Sequence, residues 1–316
     1  MEPSTAAVPA PDQALEPDGF VVVAESGERI HFLDWGGPVD AAGDAGVVAI
    51  HGLSHTAWIW APVARRLAGP AGTRRVVTMD LRGHGLSDAP TDDGAYELPV
   101  LASDVVAVAE GSGLIAVGEE DGRVVLAGHG FGAIVAVMAA LELGDRCAGL
   151  VLVDGGWESL EASTGLDADE FLRGLDEPPE VMRSLPAFLA DRSGFDPGTW
   201  DADQERAARA TVVETHAGRV VPATRPHALE ACVRAMFTYD PVATLAVVAA
   251  PVVALAAADD DVGSRAKALG AVSALRVAAG RAPIEQLQFR HDGHNLMRYR
   301  PREVAAAIAL LGGADR

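Results

Sequence analysis

The sequence predicts an α/β fold in which a mostly parallel sheet of about eight strands is covered by helices on both faces. Short β-rich runs alternate with longer helical stretches, and several runs, such as VVLA and LVLV, are apolar on both faces. Such runs suit the strands of a parallel sheet that is buried on both sides. One long segment interrupts the alternation, which otherwise is typical of a doubly wound sheet.

Each element is predicted from its apolar periodicity and from the turn residues that bound it. Eight runs are predicted strands: Phe20–Ala24, Ile30–Trp35, Val47–Ile50, Arg75–Met79, Arg123–Ala127, Leu150–Val153, Pro251–Ala257 and Gln286–Phe289. Five stretches are predicted core helices: Trp58–Leu67, Leu98–Gly113, Phe131–Leu143, Ser264–Ala279 and Pro301–Leu311.

Residues 155–241 break this rhythm because they contain no convincing strand and are acidic and helical in pattern. We predict that they form a helical cap over the carboxyl edge of the sheet, where open α/β sheets bind ligands. The core then comprises residues 19–154 and 242–316. The alternative is a second, independent helical domain, since about 85 residues can support a core. Residues 1–18, rich in Pro, Ala and acid, are predicted to be a disordered tail rather than a signal peptide.

The composition excludes several classes of partner. The chain has 45 acidic and 25 basic residues, so its net charge is −20. This charge disfavours binding to nucleic acid or to anionic membranes. The two cysteines, Cys147 and Cys232, have no metal-ligand spacing, and we expect reduced thiols in a cytoplasmic protein. No phosphate loop or dinucleotide fingerprint is present. The sequence therefore predicts a small-molecule substrate and no cofactor or metal.

Polar and glycine-rich segments follow three of the predicted strands, at the edge where parallel strands carry their functional groups. They are HGLSH at 51–55, GHGFG at 128–132 and DGH at 292–294. Three carboxylates, at 259–261, end another strand. We expect any chemistry to centre on His294 facing the sharp turn that carries Gly130.

The order and spacing of these segments resemble the α/β-hydrolase fold family, from about Phe20 to Leu311. The turn G-H-G-F-G is similar to the family's G-x-S-x-G nucleophile elbow. His51-Gly52 resembles its oxyanion loop, and DLRGHGLS at 80–87 resembles the loop after its fourth strand. Gly293-His294 matches its catalytic histidine.

The resemblance implies a role for each matching position. His294 is the expected base, and its acid falls on Asp260 when residues are counted from Pro251. Asp154 is the alternative acid, because some members carry the acid on the preceding strand. The backbone N–H groups of Leu53 and Phe131 are the expected oxyanion donors. Three further residues are candidates for the pocket wall: Ser54, His55 and His129.

Gly130 departs from the family pattern at the position of the nucleophile. Glycine has no side chain to attack a carbonyl, so no acyl or ester intermediate forms at this residue. An elbow residue is expected to have a positive φ, which strains other residues but not glycine. The missing side chain would leave space beside His294 for a water molecule or a substrate oxygen.

Three hypotheses follow. In the first, His294 and its acid act as a general base on a small, largely apolar molecule without covalent catalysis. The reaction is then direct hydrolysis of an ester, lactone or thioester, or base-catalysed elimination, cyclisation, decarboxylation or cofactor-free oxygenation. In the second, the protein is a non-catalytic binding protein that keeps the pocket. In the third, it is an ordinary serine esterase-type hydrolase in which Gly130 is an introduced replacement for serine.

Overall fold

A computed structural model describes residues 15–38, 45–116, 122–175, 184–258 and 263–313. Its strands are β1 (Asp18–Val23), β2 (Arg29–Asp34), β3 (Gly46–Ile50), β4 (Val76–Met79), β5 (Val124–His129), β6 (Cys147–Val153), β7 (Val212–Glu214), β8 (Val220–Pro222), β9 (Val252–Ala256) and β10 (Glu285–Gln288). Its helices are α1 (Ala61–Ala68), α2 (Leu98–Gly111), α3 (Phe131–Leu143), α4 (Leu160–Thr164), α5 (Ala168–Leu175), α6 (Leu185–Phe195), α7 (Ala202–Ala210), α8 (Pro226–Phe237), α9 (Ser264–Ala278), α10 (Leu296–Tyr299) and α11 (Pro301–Leu310).

Eight strands form one sheet in the order β1-β2-β4-β3-β5-β6-β9-β10. The pairs β1–β2 and β2–β4 are antiparallel, and the five other pairs are parallel. This confirms the predicted sheet, and each of its eight strands overlaps a predicted run. The sequence predicts an apolar helical stretch around each cysteine; this is confirmed for Cys232, in α8, and was wrong for Cys147, which begins β6.

Both faces of the sheet are covered because its central strands are apolar on both sides. Every residue of β4, β5, β6 and β9 is buried. The helices α2, α3 and α9 contribute to the core on one face, and α1, α10 and α11 to the core on the other. The helix α3 (FGAIVAVMAALEL) is apolar around most of its circumference because it packs between the sheet and α2. Among the described helices, none is both long enough and apolar enough to cross a membrane.

The segment 155–241 holds α4 to α8 and a two-stranded hairpin, β7–β8. The prediction that this segment contains no strand was therefore wrong for the hairpin, whose three-residue strands are too short for a period-2 pattern. The helix α7 contacts the 3₁₀-helix Ala57–Trp60, and α8 contacts the 3₁₀-helix Asp93–Tyr96. The segment thus packs on loops that follow β3 and β4. At the other boundary, β1 begins at Asp18, one residue inside the predicted tail.

Candidate active site

The turn between β5 and α3 has the geometry expected of an elbow. Gly130 caps α3 with φ 53° and ψ −115°, a conformation that other residues adopt only with strain. Its N–H donates to the Val153 carbonyl of the neighbouring strand at 3.0 Å. The main chain thus turns from strand to helix within one residue, as the glycine pattern predicts.

Neighbouring glycines let the backbone segments around the elbow approach closely. A Cβ on Gly128 would lie 2.2 Å from the Gly132 carbonyl oxygen, and one on Gly132 would lie 2.3 Å from the His51 carbonyl oxygen. Gly155 is equally confined, because its Cβ would lie 2.9 Å from the Cα of Gly130. Side chains at these positions would push the turn away from the oxyanion loop, so glycine is required on packing grounds.

His294 faces the elbow. A Cβ built on Gly130 would lie 3.1 Å from Nε2 of His294 and 3.4 Å from its Cε1, and the next nearest atom is Cα of Gly52 at 3.9 Å. The imidazole Nδ1–H donates to Oδ2 of Asp154 at 2.5 Å. A neutral imidazole bonded in this way keeps Nε2 as its acceptor. The His294 side chain is 55% exposed, whereas that of Asp154 is 4% exposed.

Asp154 is held by three partners. Besides His294, it accepts hydrogen bonds at Oδ1 from the Ala257 N–H at 2.9 Å and from the Arg265 guanidinium at 2.8 Å. Burial raises the pKa of Asp154, but the His294 hydrogen bond and the charge of Arg265 outweigh burial, and the pKa lies below its ordinary value. Asp154 therefore remains ionised at neutral pH.

The sequence predicts Asp260 as the first candidate for the carboxylate that accepts from Nδ1 of His294, and the structure places Asp154 there. Asp260 itself lies outside the described residues. Both carboxylates follow strands that are neighbours in the sheet, because Val153 of β6 pairs with Leu255 of β9. Counting residues along one strand therefore could not choose between the two strand ends. Asp154 has φ 51°, one of two positive values among the described non-glycine residues, and this turns its backbone directly after β6.

Sequence reasoning missed Arg265 at the start of α9. Its guanidinium bridges Asp154 and Glu158, with distances of 2.8 Å and 2.6 Å, and lies over the Trp157 ring at 5.0 Å. Arg265 is 111 residues from Asp154 in the chain, so no local motif marks the contact. The pairing orients the carboxylate that receives the His294 hydrogen bond.

The two predicted oxyanion donors belong to the two segments next to Gly130. Leu53 follows Gly52, whose Cα is next to the elbow, and Phe131 is the first residue of α3. The N–H groups of a first helical turn have no partner within the helix. His51 anchors the loop, since its Nδ1–H donates to the Gly52 carbonyl and its Nε2 accepts the Leu81 N–H at 3.0 Å. Burial lowers the pKa of His51 to about 3, so it is neutral.

The three possible pocket residues lie in different environments. His129 is fully buried, its Nε2–H donates to the His294 carbonyl at 3.2 Å, and its ring lies 4.3 Å from that of His294. Burial chiefly lowers its pKa well below the ordinary value. Ser54, with φ 61°, is exposed, and together with His55 it lines a cavity of about 330 Å³. Ser54 and His55 thus line the cavity, whereas His129 is a buried residue that holds the His294 backbone through a hydrogen bond.

The described residues contain no cluster of three His, Cys, Asp or Glu side chains arranged to hold a metal ion. The two cysteines are buried free thiols. Burial raises the pKa of each thiol to about 12. Neither thiol is therefore a nucleophile near neutral pH, because the reactive form is the thiolate.

Comparison with known proteins identifies the fold. Residues 47–307 match the model of the alpha/beta hydrolase family. A crystal structure of E-2-(acetamidomethylene)succinate hydrolase superposes with a TM-score of 0.72 and 21% identity, covering 93% of this chain and 98% of that one. These matches confirm the predicted α/β-hydrolase fold.

The chain is also similar in sequence to curated hydrolases. It is 32% identical over 226 residues to a Variovorax paradoxus protein with the provisional name carbamate hydrolase RutD, covering 71% of this chain and 76% of the relative. It is 40% identical over 125 residues to epoxide hydrolase B of Mycobacterium tuberculosis, covering 40% of this chain and 32% of the relative. The chain thus matches about three quarters of the first relative and a third of the second.

Proposed function

The chain belongs to the alpha/beta hydrolase family, and from that premise we propose that it hydrolyses an ester, lactone or thioester by general-base catalysis without a covalent intermediate. The observation that carries the proposal is the His294 imidazole, which is hydrogen-bonded to Asp154 and is the side chain nearest to the Cβ position of Gly130. In this proposal His294 is the base, and Asp154 is the acid that orients it.

The reaction needs no atom from residue 130. A water molecule beside Gly130 gives a proton to Nε2 of His294 as its oxygen bonds to the substrate carbonyl carbon. The carbonyl π electrons move onto the oxygen, which becomes an oxyanion. When the oxyanion collapses, the bond to the leaving oxygen or sulfur breaks, and the leaving group takes the proton from His294. Water is consumed, and an acid and an alcohol or thiol are released.

Backbone groups supply the second part of the rate enhancement. In this proposal the N–H groups of Leu53 and Phe131 donate to the oxyanion beside Gly130. Each such donor contributes about 10²–10³-fold, and a positioned base contributes about 10²–10⁴-fold. Together these factors suffice for substrates with good leaving groups. The names of the similar proteins, which include a carbamate hydrolase, epoxide hydrolases and esterases, agree with hydrolysis as the reaction type.

The experiment measures turnover of a panel of 4-nitrophenyl esters by the wild-type protein and by His294→Ala. We expect His294→Ala to lose about 10²–10⁴-fold in kcat. His291→Ala is the matched control, because His291 is an exposed histidine on the same loop. In parallel, intact mass is measured after treatment with a fluorophosphonate, and we expect no adduct because the elbow has no hydroxyl group.

Each contrary result identifies a different function. Undiminished turnover by His294→Ala would place the chemistry elsewhere. A fluorophosphonate adduct on Ser54 would show that a serine on the neighbouring loop is the nucleophile. Absence of turnover by the wild-type protein, together with ligand binding, would identify a binding protein. High turnover that appears only in Gly130→Ser would show that the site is that of a serine esterase.

A further inference from the structure

A cavity of about 330 Å³ lies beside the candidate active site, within the size range of small-molecule pockets. It starts at the residues that follow the oxyanion loop and at Asn295, the neighbour of His294, and extends to α6 and α7 of the cap. Its described lining includes Thr56, Ile59 and Asn295 from the core and Arg192 and Trp200 from the segment 155–241. Core and cap thus both contribute to its wall.

The charge of this wall is opposite to that of the whole protein. The chain carries 45 acidic and 25 basic residues, yet the described lining includes two arginines, Arg192 and Arg298, and no Asp or Glu. Asp196 lies close by, where its charge acts on Tyr299. A concave surface with two guanidinium groups, in an otherwise acidic protein, favours an anionic ligand.

The two arginines differ in what they already bind. Arg298 donates to Oγ1 of Thr199 at 2.6 Å and to the Asp196 carbonyl at 2.8 Å, so it fastens the loop after α6. Arg192, an exposed residue of α6, lies over the Phe188 ring at 5.1 Å and has no hydrogen-bond or ion-pair partner within the described residues. Burial chiefly lowers the pKa of His55, and the charge of Arg192 adds a smaller lowering, so this arginine is within electrostatic range of the loop after β3.

Two polar atoms on the core side of the wall also lack partners among the described residues. They are Oγ1 of Thr56, a residue that is 3% exposed, and Oδ1 of Asn295. A buried polar atom without a hydrogen bond destabilises the fold unless a ligand or water satisfies it. Of the two atoms, only the Thr56 hydroxyl can donate to an anion, because the Asn295 oxygen is an acceptor. Arg192 and the Thr56 hydroxyl thus provide a cation and a donor beside an apolar wall of Ile59 and Trp200.

We propose that this cavity binds a carboxylate group of the substrate and that Arg192 is its counter-charge. The inference rests on the proposed function, and it narrows the substrate to an ester, lactone or thioester with an apolar body and a remote carboxylate. The planar guanidinium matches a carboxylate through two parallel hydrogen bonds. Arg192 is thus a specificity-determining residue that does not take part in bond cleavage.

The test compares two esters of similar shape that differ in one end group, which is a carboxylate in one and a neutral isopropyl group in the other. One is the 4-nitrophenyl monoester of adipic acid, and the other is 4-nitrophenyl 6-methylheptanoate, in which a neutral branched end replaces the carboxylate. We expect a preference for the adipate ester of at least 10-fold in kcat/KM. We expect Arg192→Met to lose about 10- to 100-fold on the adipate ester and less than 3-fold on the neutral one. Arg192→Lys keeps the charge and should retain part of the preference.

A matched control and a binding measurement complete the test. Arg219→Met removes the same charge from the exposed cap hairpin, away from the cavity, and should leave the preference unchanged. Binding of adipate to His294→Ala is measured by calorimetry, with and without Arg192→Met. Binding that depends on Arg192 supports the inference even if no ester is hydrolysed. Equal turnover of both esters, unaffected by Arg192→Met, would overturn it while leaving the proposed hydrolysis intact.

Discussion

Replacing Gly130 tests the geometry of the elbow and the position of the base at once. Any residue other than glycine at φ 53° and ψ −115° incurs backbone strain of about 1–3 kcal/mol. A new Cβ also lies 3.1 Å from Nε2 of His294, a few tenths of an ångström too close. The His294 side chain is 55% exposed and can move by that amount, so we expect the strain to dominate the cost.

Gly130→Ser and Gly130→Ala form a matched pair, because both carry a Cβ and only serine carries a hydroxyl. We expect both to lose about 1–3 kcal/mol in the free energy of unfolding, measured by urea denaturation. We expect only Gly130→Ser to gain a fluorophosphonate adduct in its intact mass. We also expect only Gly130→Ser to release a burst of about one equivalent of 4-nitrophenol from activated esters, since its hydroxyl would lie beside Nε2.

Two results would refute this reasoning in different ways. If both variants unfold at the same urea concentration as the wild-type protein, the elbow is not strained and the conformation of Gly130 is wrong. If both are destabilised but Gly130→Ser stays unlabelled, the elbow is correct and Nε2 of His294 is not placed to activate a group there.

Two further predictions concern the acid and the pH dependence of stability. We expect Asp154→Asn to lose about 10²–10⁴-fold in kcat and Asp260→Asn to keep activity close to that of the wild-type protein, measured with the same ester. If Asp260→Asn is the variant that loses activity, Asp260 is the acid. Burial lowers the pKa of His51 to about 3 and that of His84 to about 4, so the unfolded chain binds protons first as the pH falls below about 6.5. Their contribution to stability is complete above about pH 6.5 and is lost below it, by about 2 kcal/mol each at pH 5. Urea titrations at pH 7.5 and pH 5 measure this loss, to which the buried His129 and His55 also contribute. His84→Asn should remove about 2 kcal/mol of it, and equal stability at both pH values would contradict the buried, neutral state of these histidines.

Local pattern alone determined the fold class and most of the elbow. The runs VVLA and LVLV are apolar on both faces, which only strands buried on both sides require, and they became β5 and β6. The glycines at 128, 130 and 132 predicted a tight strand-to-helix turn because each permits a close backbone approach or a positive φ. Gly293-His294 after a late strand likewise located the histidine that faces this turn.

The partners of His294 were decided by tertiary structure. Asp154 is 140 residues from His294 and 111 residues from Arg265, and no local spacing indicates such contacts. Because β6 and β9 are adjacent and parallel, acids after either strand end at the same edge of the sheet. The choice of Asp154 depends on its positive φ and on the Ala257 N–H, which donates to its carboxylate. The cavity lined by Arg192 forms where the segment 155–241 packs on the core. Its lining residues come from segments that are far apart in the chain, so no local pattern predicts it.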